Sequence, residues 1–174
     1  MVGVMGTGDD SNPHLMETSR TLGRLIAEQG WVLLTGGRNC GVMKAANEGA
    51  KQVSDSLTVG ILPDHQSTAS PDVDVVIVTD MGNARNNINV LSSNIVVACG
   101  QAGAGTASEV ALALKAGKQV ILLAAPTLAK SYFRQLGKDL VFTAECPKEA
   151  VSLIKKLKFP VLESSSNLEP GSQT

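Results

Sequence analysis

The sequence predicts an α/β protein in one domain, built on a doubly wound, mostly parallel sheet with helices on both faces. Three observations carry this. Short apolar runs alternate along the chain with segments of helical periodicity. Those runs are near-continuous in Val, Ile and Leu, as strands buried on both faces require, rather than alternating with polar residues. Glycine clusters at 6–8, 36–37 and 100–105 each follow such a run, where a strand would turn into a helix.

Taken in order, Val2-Gly3-Val4-Met5 reads as the first strand. Asp9, Asp10, Ser11 and Asn12 then supply capping groups, Pro13 suits a first helical turn, and Leu15, Met16, Leu22, Leu25 and Ile26 recur at helical spacing as far as Gly30. Residues 31–35 form a second strand and 42–53 a small-residue helix. Residues 57–62 form a third strand, stopped by Pro63, and the polar stretch 64–72 an exposed loop. A fourth strand spans 73–79. After the segment 80–87 a short helix is expected at 88–92, then a strand at 95–99 running into a glycine loop and a helix reaching Lys115. A strand at 119–124, a helix at 126–136, a short strand at 140–142 and a helix at 147–158 complete the domain. From about Glu163 the composition turns to Ser, Asn, Gly and Pro, so the expected division is a ligand-binding domain over 1–158 and a disordered tail over 159–174.

Composition narrows the function. With 174 residues, 43% hydrophobic and 18% charged, the chain can bury a substantial core. Aromatics reach only 3%, too few for base-stacking platforms, and a net charge of -1 gives no electrostatic case for nucleic acid or an anionic membrane. The three cysteines, Cys40, Cys99 and Cys146, form no metal-ligand pattern with His14 and His65 and no disulfide framework. No run approaches the ~18 apolar residues of a membrane span, and the expected location is the cytoplasm.

The segment from Ser93 to Lys115 carries the chemistry. Its strand, glycine loop and helix place bare backbone N–H groups beside the positive end of a helix dipole, an arrangement that holds anions. Glu109 is expected in the first turn of that helix, where the dipole favours a carboxylate and a bound sugar or heterocycle would face it. Arg85, among Gly82, Asn83, Asn86 and Asn87, is either a surface loop arginine or a bidentate phosphate grip. A dinucleotide site is disfavoured: Ser11 and Ser108 stand where G-x-G-x-x-G needs its third glycine, and the second strand ends in Thr35 rather than an acidic residue. No NAD is therefore expected.

These residues also carry a family likeness. Leu34 to Met43, the Arg85 segment, and Gly103-Ala104-Gly105-Thr106-Ala107-Ser108-Glu109 resemble the Lonely-guy, or "lysine decarboxylase-like", superfamily of Rossmann-like proteins. Its nucleoside 5′-monophosphate phosphoribohydrolases carry P-G-G-x-G-T-x-x-E. Gly103, Gly105, Thr106 and Glu109 match that motif, while Gln101 replaces the proline and Ala102 the first glycine. Those departures weigh against hydrolysis more than against phosphate cradling, which needs N–H groups rather than particular side chains. In its Gly-Asn-Ala-Arg-Asn segment the chain is more similar to a second branch, the molybdenum cofactor carrier proteins, which are homo-oligomers without enzymatic turnover. The resemblance implies a carrier of the molybdenum cofactor, a pterin ending in a phosphate, assembled as a dimer or tetramer and passing its cargo to molybdoenzymes. The residues it implicates in binding are Gly6, Thr7, Gly8, Gly36, Gly37, Arg38, Asn83, Arg85, Gly103, Ala104, Gly105, Thr106 and Glu109. If the chain were instead a hydrolase, Arg85 and Glu109 would be its catalytic pair.

Overall fold

A computed structural model, described over residues 1–100 and 103–157, shows one seven-stranded sheet. The strands are β1 (Val2–Met5), β2 (Leu33–Thr35), β3 (Thr58–Leu62), β4 (Val75–Val78), β5 (Ile95–Cys99), β6 (Val120–Leu123) and β7 (Val141–Ala144). They lie in the order β4-β3-β2-β1-β5-β6-β7, and every neighbouring pair is parallel. Parallel neighbours need crossovers, and five of these carry a helix: α1 (Pro13–Glu28), α2 (Gly41–Ala50), α3 (Arg85–Ser92), α4 (Ala104–Lys115) and α5 (Thr127–Gly137); residues 63–74 join β3 to β4 without a helix, and α6 (Pro147–Lys156) follows β7. The doubly wound expectation holds. The tail expected over 159–174 lies outside the described residues.

Strand residues alternate between two cores, as the two-residue period of a strand demands. Val2, Val4, Ile95, Val97 and Cys99 pack with Leu22 and Ile26 of α1, Ala46 and Ala50 of α2, and Ile154 of α6. Met5, Val96, Ala98, Val120 and Leu122 pack on the other side with Val90 of α3, Val110 and Ala113 of α4, and Phe133 of α5. Helix ends follow local chemistry. The Asn12 side chain accepts a bond from the Leu15 amide at 3.0 Å, Pro13 opens α1, and Gly30 leaves it at φ +69°.

The sheet is not buried throughout. Val75, Val76, Ile77 and Val78 are 43–49% exposed, because β4 is the outermost strand and no helix lies over it. The continuous apolar run that signals a central strand here belongs to an edge. The short helix expected at 88–92 begins earlier, at Arg85, because a 3-10 turn at Gly82–Ala84 leads directly into it. Among the described residues no helix is long and apolar enough to cross a membrane.

Candidate functional site

Strand order reverses between β1 and β5, and in sheets of this kind ligands sit outside the carboxyl ends of the strands at such a point. Three helix N-termini converge near it, and they are not equivalent. That of α1 is capped by Asn12. That of α2 is docked onto the preceding loops: the Gly41 amide donates to an Asp10 carboxylate oxygen at 2.6 Å, and the Val42 amide to the Thr7 carbonyl at 2.9 Å. The start of α4 is open. Gly103 is extended (φ -68°, ψ 171°) and offers no side-chain cap, Gly103, Ala104 and Gly105 are exposed, and the Ala107 amide donates to the Gly103 carbonyl at 2.9 Å. The amides before Ala107 in the first turn therefore have no intrahelical carbonyl to reach.

A cavity of about 200 Å³ opens against this turn. Gly6, Thr7 and Gly8 line it from the loop after β1, and Gly36 and Arg38 from the loop after β2. Met43 comes from α2; Asn83 from the 3-10 turn before α3; Arg85 and Asn86 from the start of α3; Gly103 from the residue that precedes α4; and Gly105, Thr106 and Glu109 from α4. Eleven of the thirteen residues singled out from the sequence meet here. Gly37 does not line the cavity: it packs on the Gly60 backbone at φ +74°, its amide donating to the Thr35 hydroxyl. Ala104 does not line it either. Gln101 and Ala102 lie outside the described residues.

The glycines act by leaving room. A Cβ on Gly36 would stand 2.3 Å from Arg85 Nη1, and one on Gly8 would stand 2.7 Å from Arg38 Nη2. Both guanidiniums thus lie against bare main chain. Arg85 is 8% exposed, and its Nη1 is buried with no partner among the described residues. Burial pulls its pKa below the usual arginine value, Glu109 opposes that shift and the neighbouring Arg38 adds to it. A buried cation with an unpaired donor is costly unless something anionic meets it. Arg38 is exposed, and its Nη2 donates to Cys40 Sγ at 3.3 Å.

Glu109 corrects the sequence expectation. Because α4 starts already at Ala104, Glu109 falls in the second turn, buried to 6% exposure and away from the free amides. Asn89 Nδ2 donates to its Oε1 at 2.9 Å. Burial raises the Glu109 pKa, against the pull of the Asn89 hydrogen bond and the Arg85 charge. Asn86 and Asn89, one helical turn apart, were not singled out from the sequence. Asn86 donates to the Ser108 hydroxyl at 3.0 Å, which donates to the Gly105 carbonyl at 2.7 Å, so α3 pins the first turn of α4. Their only signal was the spacing of two amides on one helical face.

Residues 1–151 match the model of the SLOG cluster4 family. The chain belongs to the SLOG cluster4 family. Within the solved structures, this SLOG cluster4 chain is similar to the molybdenum cofactor binding protein of the phototrophic bacterium Rippkaea orientalis, with 51% identity and a TM-score of 0.84 over 90% of this chain and 95% of that one. It is likewise similar to the molybdenum cofactor carrier protein of Chlamydomonas reinhardtii, with 46% identity and a TM-score of 0.85 over 90% and 96% of the two chains. By sequence it is 40% identical to an Archaeoglobus fulgidus protein over 151 residues, 87% of this chain and 91% of the relative. It is 29% identical to a cytokinin riboside 5′-monophosphate phosphoribohydrolase of Mycobacterium marinum over 111 residues, 62% of this chain and 58% of that relative.

Proposed function

We propose that this protein is a carrier for the molybdenum cofactor, holding the cofactor's phosphate at the open end of α4. The observation that carries the reading is the buried Arg85 Nη1, unpaired among the described residues, on a side chain that lines a cavity together with Arg38 and the first turn of α4. Magnitudes decide which group dominates. A helix end contributes about 0.3–1 kcal/mol toward an anion, and a charge-assisted hydrogen bond about 1.5–3 kcal/mol. Arg85 is thus the principal anchor, the α4 amides set the position of the anion, and Thr106 adds a hydroxyl. The cofactor is cargo in this reading. The chain's residues bind and orient it, and the likeness to two cofactor-binding proteins supports the assignment. The carrier would work in the cytoplasm as a homo-oligomer, dimer or tetramer, whose mass light scattering reads directly, with molybdoenzymes as recipients.

The test is protection. Molybdenum cofactor freed from a molybdoenzyme and mixed with the full chain should co-elute with it and keep its capacity to reconstitute an apoenzyme longer than free cofactor does. Decay at the same rate with and without the chain overturns the reading. A second reading, phosphoribohydrolase activity, is favoured by the joint presence of Arg85 and Glu109 in the cavity and by the phosphoribohydrolase relative. Free base released from a nucleoside monophosphate, and lost in Glu109→Ala, would decide for it.

A further inference from the structure

Next to the cavity at Arg85 lies a larger one of about 580 Å³. Thr7 and Gly103 line both, so the two are lobes of one crevice at the carboxyl ends of β1 and β5. Their linings differ in kind. The first carries Arg38 and Arg85. The second has neither arginine nor lysine among its described lining residues, and offers Asp9, His14 and the Thr18 hydroxyl beside the apolar surfaces of Leu15, Ala125 and Pro126.

Size divides the work between them. At about 200 Å³ the first lobe is smaller than the roughly 300–1,000 Å³ of ordinary small-molecule sites. A ligand whose phosphate fills it must extend elsewhere, and the second lobe begins at the same Thr7. Charge decides what can follow. Asp9 accepts from the Ser11 hydroxyl at 2.7 Å and from the Ser11 amide at 2.9 Å, bonds that keep its carboxyl below the usual range and therefore ionised. A second anion is repelled there, whereas N–H donors find the carboxylate's remaining lone pairs. The wall also holds Ala124 at φ +50°, a strained conformation for a residue other than glycine, of a sort that gathers at ligand sites.

We propose that the second lobe seats the ring end of the ligand, a neutral, planar, amino-substituted nitrogen heterocycle whose N–H groups donate to Asp9 while its faces rest on the Leu15 and Pro126 side. Pterins and purines share this chemistry. The inference rests on the first lobe taking the phosphate, and the experiment separates the two claims. The full chain is titrated calorimetrically with inorganic phosphate, with unconjugated pterin and with guanine. Pterin should bind in the presence of saturating phosphate. Asp9→Asn should weaken pterin about tenfold and leave phosphate binding unchanged, and Arg85→Met should do the converse. Guanine showing the same sensitivity to Asp9→Asn supports the ring site and widens it to purines. Competition between pterin and phosphate in the unsubstituted chain, pterin affinity indifferent to Asp9→Asn, or no binding of either ring overturns the proposal. Failure of phosphate alone overturns the anion site and leaves the ring titrations to judge the second lobe.

Discussion

The two faces of the sheet are packed on different principles. On the side of α1, α2 and α6 the helices come together through glycine. A Cβ on Gly23 would stand 1.9 Å from the Ala46 carbonyl oxygen, and one on Gly49 would stand 1.8 Å from that of Arg20, so α1 and α2 cross with their backbones in contact. On the side of α3 and α4 the contact is made by buried polar groups instead: Arg85, Asn86, Asn89, Thr106 and Glu109 all lie between or beside these helices. One face is closed by close packing and the other by hydrogen bonds that leave a charge unpaired. Dispersion contacts among small residues stabilise whatever the solvent contains, whereas an unpaired buried guanidinium lowers stability until an anion arrives. The proposed anion anchor, Arg85, belongs to the α3–α4 side.

The largest effect should come from breaking the close-packed face. Gly23→Ala places a methyl group inside backbone, which no side-chain movement relieves, and should destabilise the fold by about 3 kcal/mol or more. Urea unfolding measures it, and a midpoint equal to that of the parent would show that α1 and α2 can separate freely. The opposite sign is expected on the other face. Arg85→Met removes the buried cation and its unpaired Nη1, and should raise stability by about 1 kcal/mol while costing ten- to a hundredfold in phosphate affinity. Loss of both stability and affinity would mean that Arg85 is a structural group, and the contrast between the faces would fail.

How much of this was legible beforehand depends on what each residue's signal measures. The apolar runs and their glycine punctuation predict parallel strands and a helix start at the glycines after β5, because both follow from local chemistry. That β4 is an edge was not legible: Val75–Val78 reads the same whether or not a helix covers it, and strand order is set by contacts distant in sequence. Gly23 and Gly49 look like weak points in helices until a neighbouring carbonyl is found against them. Within the site, Gly8, Gly36, Arg38 and Arg85 were visible as residue types. Asn89's hold on Glu109 was not, since it depends on α3 and α4 lying side by side across two strand-to-helix turns. Placing Glu109 in the first turn failed because the glycine loop was carried through Gly105, whereas the helix already begins at Ala104.

The subtlest expected effect sharpens the polar face by pH. Glu109 has its pKa raised in the folded protein by burial, with Asn89 and Arg85 opposing the shift. The folded state therefore holds that proton more tightly than the unfolded chain does, whose glutamates titrate near the ordinary value of about 4.3. The stability this gives is complete below the unfolded value and is lost as pH rises through the folded one, so the carboxyl weakens the fold towards neutral pH. Glu109→Gln keeps an oxygen to accept from Asn89 and has no proton to lose. It should match the parent at about pH 4 and be the more stable protein at about pH 8. Thermal unfolding of both across this range gives the difference curve, and parallel curves would remove the titrating carboxyl from the account. The same series in Arg85→Met should enlarge the difference between glutamate and glutamine and carry its upper end to higher pH, because the guanidinium that helps to ionise Glu109 is gone. An unchanged difference curve would show that the two side chains, though they share a cavity, do not sense each other's charge.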